Sequence, residues 1–201
     1  MNYKHFKLIL DDNQIAWVYF DYADGSMNVL SSEVLDELKE VLLEVRNISP
    51  AGMVITSAKS SGFIAGADVK EFKKFHEYED AHKAITKGQE VMWLIDTMDF
   101  PTLALINGIC LGGGLELALS CDYRIILDST KSRMGFPEVK LGIHPGFGGS
   151  VRSIRVLGVI KAMGIMLTGR TLSAYQAKKI GLVDHVVPLR LFDKSAVDII
   201  K

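Results

Sequence analysis

Two kinds of apolar pattern alternate along this chain. Phe6–Leu10 and Ile15–Phe20 are short runs rich in β-branched and aromatic residues, separated by the turn formers Asp11-Asp12-Asn13-Gln14; they predict a hairpin. The next run has a longer period. Val34, Leu35, Leu38, Val41, Leu42 and Val45 recur at helical spacing, with Ser31 or Ser32 as cap and Glu33 in the first turn. Residues 53–57 then read as a buried strand, followed by the small-residue loop Ser60-Ser61-Gly62. A helix is expected over about 81–97, before Pro101, and a second buried strand over 103–109. Residues 115–121 read as a short apolar helix and 123–127 as a strand. After Gly148-Gly149 the pattern is mostly helical, over 151–157, 160–167 and 173–180, and 191–201 looks like the beginning of one more apolar helix. Strand–helix units joined by short connections predict an α/β domain.

Composition narrows the class. The 201 residues carry 23 Lys and Arg against 24 Asp and Glu, a net charge of −1, so no basic face is advertised to nucleic acid or an anionic membrane. No apolar run reaches membrane-spanning length, and Met1-Asn2-Tyr3-Lys4-His5 lacks the apolar core of a leader peptide. The two cysteines, Cys110 and Cys121, sit in apolar segments and read as buried thiols, which suits a reducing cytoplasm. The five histidines, His5, His76, His82, His144 and His185, show no ligand spacing, so no metal site is expected.

Candidate chemistry gathers in four segments of small residues. The run Gly112-Gly113-Gly114 leaves its backbone bare at the start of a helix, where free N–H groups and the helix dipole attract negative charge. Glu116 follows as the one carboxylate in an apolar helix. Ala65-Gly66-Ala67-Asp68 is slender enough for a ligand to lie against the backbone, and Asp68 also suits a helix cap. Glu138, directly after Pro137 in an apolar stretch, is a carboxylate that is costly to bury without a purpose. The fourth segment, His144-Pro145-Gly146-Phe147-Gly148-Gly149, is a loop of turn formers that opens a helix, and its His144 reads as a structural residue.

Together and in this order, with Asn28-Val29-Leu30 and Asn107-Gly108, these segments resemble the crotonase superfamily of enzymes acting on acyl-coenzyme A thioesters. The resemblance runs from about Asn2 to Pro188 and is closest to the N-terminal hydratase/isomerase domain of multifunctional fatty-acid β-oxidation α-subunits. It implies the ClpP/crotonase-like fold, an α/β architecture of repeated ββα units forming a spiral. It implies an oxyanion hole made by the N–H groups of Ala67 and Gly113. Glu116 would chiefly activate water, Glu138 would chiefly deliver a proton, and Gly146 would offer the water a backbone N–H. The implied reaction is hydration of trans-2-enoyl-CoA to 3-hydroxyacyl-CoA. The alternatives are Δ3–Δ2-enoyl-CoA isomerisation, or a non-catalytic acyl-CoA-binding or assembly fragment of a larger enzyme.

Coenzyme A is then part of the substrate and no separate cofactor is implied. Ala65, Gly66, Asp68 and Gly112 would meet the thioester and its carrier, Lys70 a phosphate or ribose, and Phe72 and the segment around Met92-Trp93 the acyl tail. Relatives carry a basic residue just before the Asn-Val-Leu landmark, whereas this chain has Asp24-Gly25-Ser26-Met27. The chain divides into a core over 1–190 and the start of a C-terminal or linker helix over 191–201, and reads as the N-terminal piece of a larger protein with its C-terminal helical region truncated. The resemblance implies a homo-oligomer, or a domain of a complex with a thiolase subunit.

Overall fold

The computed structural model describes residues 3–201, with Lys74 described by its backbone alone. Met1 and Asn2, the first residues of the expected core, lie outside the described residues. Strands β1 (Phe6–Leu10) and β2 (Ile15–Phe20) form the predicted antiparallel hairpin. Asp11 closes it by accepting the N–H groups of Asn13 and Ile15, both at 2.9 Å. Helix α1 (Ser32–Ile48) follows, its first free N–H groups met by the Ser31 hydroxyl, which accepts from Val34 N at 3.2 Å. Its buried side chains are the six read from the periodicity, Val34 to Val45.

Beyond α1 the chain sends successive strands to two sheets in turn. β3 (Gly52–Ser57), β5 (Thr102–Ile106) and β7 (Tyr123–Leu127) enter a six-stranded sheet ordered β1-β2-β3-β5-β7-β10, where β10 is His185–Val187. β4 (Gly62–Ile64), β6 (Ile109–Leu111) and β8 (Arg133–Gly135) enter a four-stranded sheet ordered β4-β6-β8-β9, where β9 is Thr171–Leu172. Helix α2 (Tyr78–Asp96) follows β4 and helix α3 (Gly113–Ser120) follows β6, giving the expected ββα repeat. All pairings from β2 to β10 in the larger sheet are parallel.

Three sequence expectations need correction. Residues 103–109 are two strands, because Asn107-Gly108 bends the chain from one sheet to the other. Asn107 Nδ2 holds the Lys59 carbonyl at 2.8 Å, and a Cβ on Gly108 would come within 3.0 Å of Gly62 Cα. Helix α2 begins at Tyr78, earlier than 81, because Asp80 accepts the N–H groups of His76 and Glu77 and so secures an extra turn. Asp68 caps no α-helix: its Oδ1 accepts Lys70 N at 3.0 Å in a local turn, ahead of a single 3-10 turn at Glu71–Lys74.

Both faces of the larger sheet are covered, which explains why its strands read as unbroken apolar runs. Met53, Ile55, Ala104 and Ile106 face the main core with α1, α2 and α3, while Val54, Leu103 and Leu105 face the other way. That second face is covered by helix α7 (Phe192–Ile200), the apolar run seen at 191–201, through Phe192, Ala196 and Ile200. Helices α4 (Gly149–Leu157), α5 (Val159–Met166) and α6 (Ala174–Ile180) complete the elements, close to their expected bounds. No helix among the described residues is long and apolar enough to cross a membrane.

Candidate active site

The segment 28–30 acts as a splint for the Ala65–Asp68 loop. Ala65 N donates to Asn28 O, Leu30 N to Gly66 O and Asp68 N to Leu30 O, at 2.9, 2.9 and 3.1 Å. Asn28 is buried, and its amide donates to Phe20 O, Ser57 Oγ and Phe63 O while accepting from Tyr22 N. The splint leaves the Ala67 N–H without an acceptor among the described residues, on the wall of an apolar pocket of about 520 Å³. Gly113 lines the same pocket. As the first residue of α3 it has a free N–H, again with no acceptor among the described residues.

The three consecutive glycines are constrained differently. Gly112 has φ +50°, and a Cβ there would sit 3.0 Å from Glu138 Oε1. A Cβ on Gly113 would press on Leu30 and the Phe147 ring at 3.3 Å. A Cβ on Gly114 would lie 2.5 Å from Ile64 O, so only glycine lets α3 pack directly on β4.

Both glutamates converge on this pocket. Glu116 is 2% exposed, and its Oε1 accepts Gly149 N at 2.7 Å. Burial pushes its carboxyl up to about 7, helped by the negative charge of Glu138 and opposed by the Gly149 and Phe147 N–H groups and by Arg152. Glu138 lies in a 3-10 turn at Pro137–Leu141 and is 9% exposed. Burial raises its pKa too, with its own backbone N–H and His144 opposing. Its Oε2 is buried and has no hydrogen-bond partner among the described residues.

The loop from His144 to Gly149 closes the site against α2. The Phe147 ring fills the space a Cβ on Gly88 would need (2.2 Å), and Gln89 Nε2 donates to Gly146 O at 2.8 Å. Arg152 Nη1 donates to Phe147 O at 2.9 Å. Phe147 and Arg152 were not among the residues picked from sequence; the available signal was an arginine placed soon after two glycines, which is weak.

The pocket brings together Ala65, Gly66, Ala67, Asp68, Phe72, Gly112, Gly113, Glu116, Glu138 and Gly146. Lys70 is exposed and outside the lining. Met92 is buried in the main core and Trp93 is 60% exposed, and neither lines the pocket, whose α2 wall is instead Ala81, Ala84, Ile85 and Lys87. Far from it, His5, Asp24 and Glu33 approach one another closely enough to suggest a metal set. Lys4 Nζ already holds both carboxylates, at 2.8 and 3.1 Å. His5 Nδ1 accepts Ala23 N at 3.1 Å, which leaves the proton of the neutral ring on Nε2 and no lone pair for a cation.

Comparison with known proteins gives a consistent picture. The profile of the enoyl-CoA hydratase/isomerase family matches residues 12–201. The fatty acid oxidation complex subunit alpha of Vibrio campbellii is 43% identical over 186 residues, covering 92% of this chain and 26% of that protein. The corresponding subunit of Shewanella loihica is 42% identical over 196 residues, covering 97% and 28%. Among solved structures, the enoyl-CoA hydratase of Bacillus anthracis superposes with TM-score 0.89 at 34% identity, covering 98% of this chain and 75% of that one. That of Thermoplasma volcanium gives 0.90 at 28%, covering 98% and 77%. The chain spans about a quarter of the length of these curated relatives.

Proposed function

The chain belongs to the enoyl-CoA hydratase/isomerase family, and we propose that it adds water across the double bond of trans-2-enoyl-CoA thioesters in fatty-acid β-oxidation. The observation that carries this reading is the convergence of two buried carboxylates, Glu116 and Glu138, on one apolar pocket that also holds the free N–H groups of Ala67 and Gly113. The thioester oxygen would lie between those two donors. Water oxygen bonds to C3, the π electrons move toward the thioester, and the charge collects on its oxygen as an enolate. Backbone donors fixed in advance at that oxygen stabilise the transition state by about 3–4 kcal/mol each.

The acids then complete the balance. Glu116 takes a proton from the attacking water and Glu138 gives one to C2; passing a proton from Glu116 back to Glu138 restores the pair. N–H groups on Glu116 favour its ionised, accepting form. A buried Oε2 without a partner suits the protonated form of Glu138. Two neighbouring carboxylates titrate as a unit, so these roles are properties of the pair. Coenzyme A enters with the substrate, and Gly146 N–H is a further donor for the water. The same Oε2 suits a proton shuttle between C4 and C2, the chemistry of Δ3–Δ2 isomerisation. Membership of a fatty acid oxidation complex fits the relatives' names, a thiolase subunit being the partner that the sequence resemblance implies, and the two buried free thiols suit a reducing cytoplasm.

The test follows loss of the crotonyl-CoA enone absorbance. Glu116→Gln and Glu138→Gln are each expected to lower kcat by about 10²–10⁴-fold. Hydration at the parent rate by the double variant overturns the reading.

A further inference from the structure

One half-buried cation near the pocket, Arg152, has no part in the proposed chemistry. Arg152, on the first turn of α4, spans two elements with a single guanidinium. Its Nε donates to both Asp96 oxygens, at 3.2 and 3.0 Å, and its Nη2 pairs with Asp96 Oδ2. Its Nη1 donates to Phe147 O at 2.9 Å. Such a fork fixes a direction as well as a distance.

The anchor end is rigid. Asp96 is the last residue of α2, and Arg46 of α1 holds that end by donating to Leu94 O and Thr97 O at 3.0 and 3.2 Å. A carboxylate at a helix C-terminus faces the negative end of the dipole, and no basic residue occupies the last turn of α2. Asp96 is therefore stabilised there by the guanidinium from α4.

The other end is shaped around the guanidinium. Gly148 has φ +101°, and a Cβ on it would lie 2.1 Å from Arg152 Nη1. On the same loop, the Gly149 N–H donates to the Glu116 carboxylate at 2.7 Å, and the Phe147 N–H also favours its charged form. We propose that Arg152, braced by Asp96, is a positioning residue that holds the 147–149 loop so that its N–H groups orient Glu116. The charged groups facing Glu116 are Glu138 from the 137–141 turn, which opposes its ionisation, and Arg152 from α4, which favours it; His144 faces Glu138. The inference rests on the hydratase reading only for its kinetic arm.

The direct test is a ¹³C NMR titration of the protein with carboxyl-labelled glutamate, the Glu116 resonance being assigned with Glu116→Gln. In Arg152→Gln the Glu116 midpoint is expected to rise by about half a pH unit or more, since a favourable charge and the orientation of the Gly149 donor are lost together. Hydration of crotonyl-CoA by the same variant is expected to lose about 10²-fold in kcat with little change in KM, the effect of a misplaced catalytic group. Arg152→Lys keeps the charge without the fork, so its midpoint is expected to rise by less than in Arg152→Gln while kcat still falls. Asp96→Asn, which releases the anchor, moves both readouts in the direction of Arg152→Gln. A folded Arg152→Gln protein, verified by its amide spectrum, that titrates at the parent midpoint overturns the proposal; if it does not fold, a parent-like kcat in Arg152→Lys overturns it. A shifted midpoint in a protein whose parent form hydrates nothing supports the positioning role and removes the hydratase reading instead.

Discussion

Replacing Glu116 by glutamine is expected to make the protein more stable at alkaline pH while abolishing its proposed activity. The side chain is 2% exposed, and burial raises its carboxyl from 4.5 to about 7. A folded value above the unfolded one means that the folded chain binds more protons between those two pH values. The stability contribution is therefore fully present below about pH 4.5 and is lost as pH rises toward 7. Relative to a neutral group, ionising Glu116 in the fold costs about 1 kcal/mol at pH 5 and about 3 kcal/mol at pH 8. Glutamine copies the shape of the protonated acid and has no such dependence. Urea unfolding of both proteins at pH 5 and pH 8 is the assay. The variant should gain on the parent by roughly 2–3 kcal/mol between the two pH values. Any constant effect of the substitution cancels in that comparison. A stability gap that stays the same from pH 5 to pH 8, or that moves in the parent's favour, refutes the reasoning.

Two further outcomes test the scaffold. Gly114→Ala puts a Cβ 2.5 Å from Ile64 O, so α3 must lift from β4 and carry the Gly113 N–H with it. Thermal melts should show a loss of about 1–3 kcal/mol, and hydration should fall about 10²-fold. Gly164→Ala, in open space on α5, should leave hydration unchanged and raise stability by about 0.5–1 kcal/mol, the helix preference for alanine over glycine. Asn28→Ala strands the Tyr22 N–H and removes a donor from the Phe63 carbonyl and from the Phe20 carbonyl, which keeps the Ala58 N–H; denaturant unfolding should show a loss on the order of 2–3 kcal/mol. A loss below about 1 kcal/mol would mean that the amide carries little of the splint.

The fold was legible wherever one periodicity ran long enough. The six apolar positions of α1 were all correct, because a half-buried helix displays its period directly. The short strands of the smaller sheet were not legible. β4, β6 and β8 are three residues each, too few to show a period of two, and β6 was absorbed into the apolar run of β5. The acids and the glycines stood out because their residue types contradict their apolar surroundings. Arg152 did not, since an arginine on a helix reads as a solvated charge until Asp96, 56 positions earlier, is brought beside it. His5, Asp24 and Glu33 were likewise separated along the chain, and only the structure shows Lys4 already neutralising the pair.

This difference follows from what the site is made of. The free donors facing the pocket, at Ala67 and Gly113, are main-chain atoms, so side-chain identity at those positions matters only through what it prevents. A sequence records such a site as an absence of bulk, which explains why Gly112-Gly113-Gly114 is informative only beside Ala65–Asp68 and the two glutamates. Holding main-chain atoms in place is the work of other side chains, chosen for reach and hydrogen-bonding capacity. Asn28 does this for the loop bearing Ala67, with an amide that uses all its bonds on backbone and Ser57. Arg152 does it for the loop bearing the Phe147 and Gly149 N–H groups, with a guanidinium shared between Asp96 and Phe147 O. α3 needs no such agent, because Gly114 lets it rest directly on β4. The residues that matter most after the two acids are thus those that tie backbone to backbone: Asn28, from the Asn-Val-Leu landmark, and Arg152, which lies outside the short motifs that draw attention to the site.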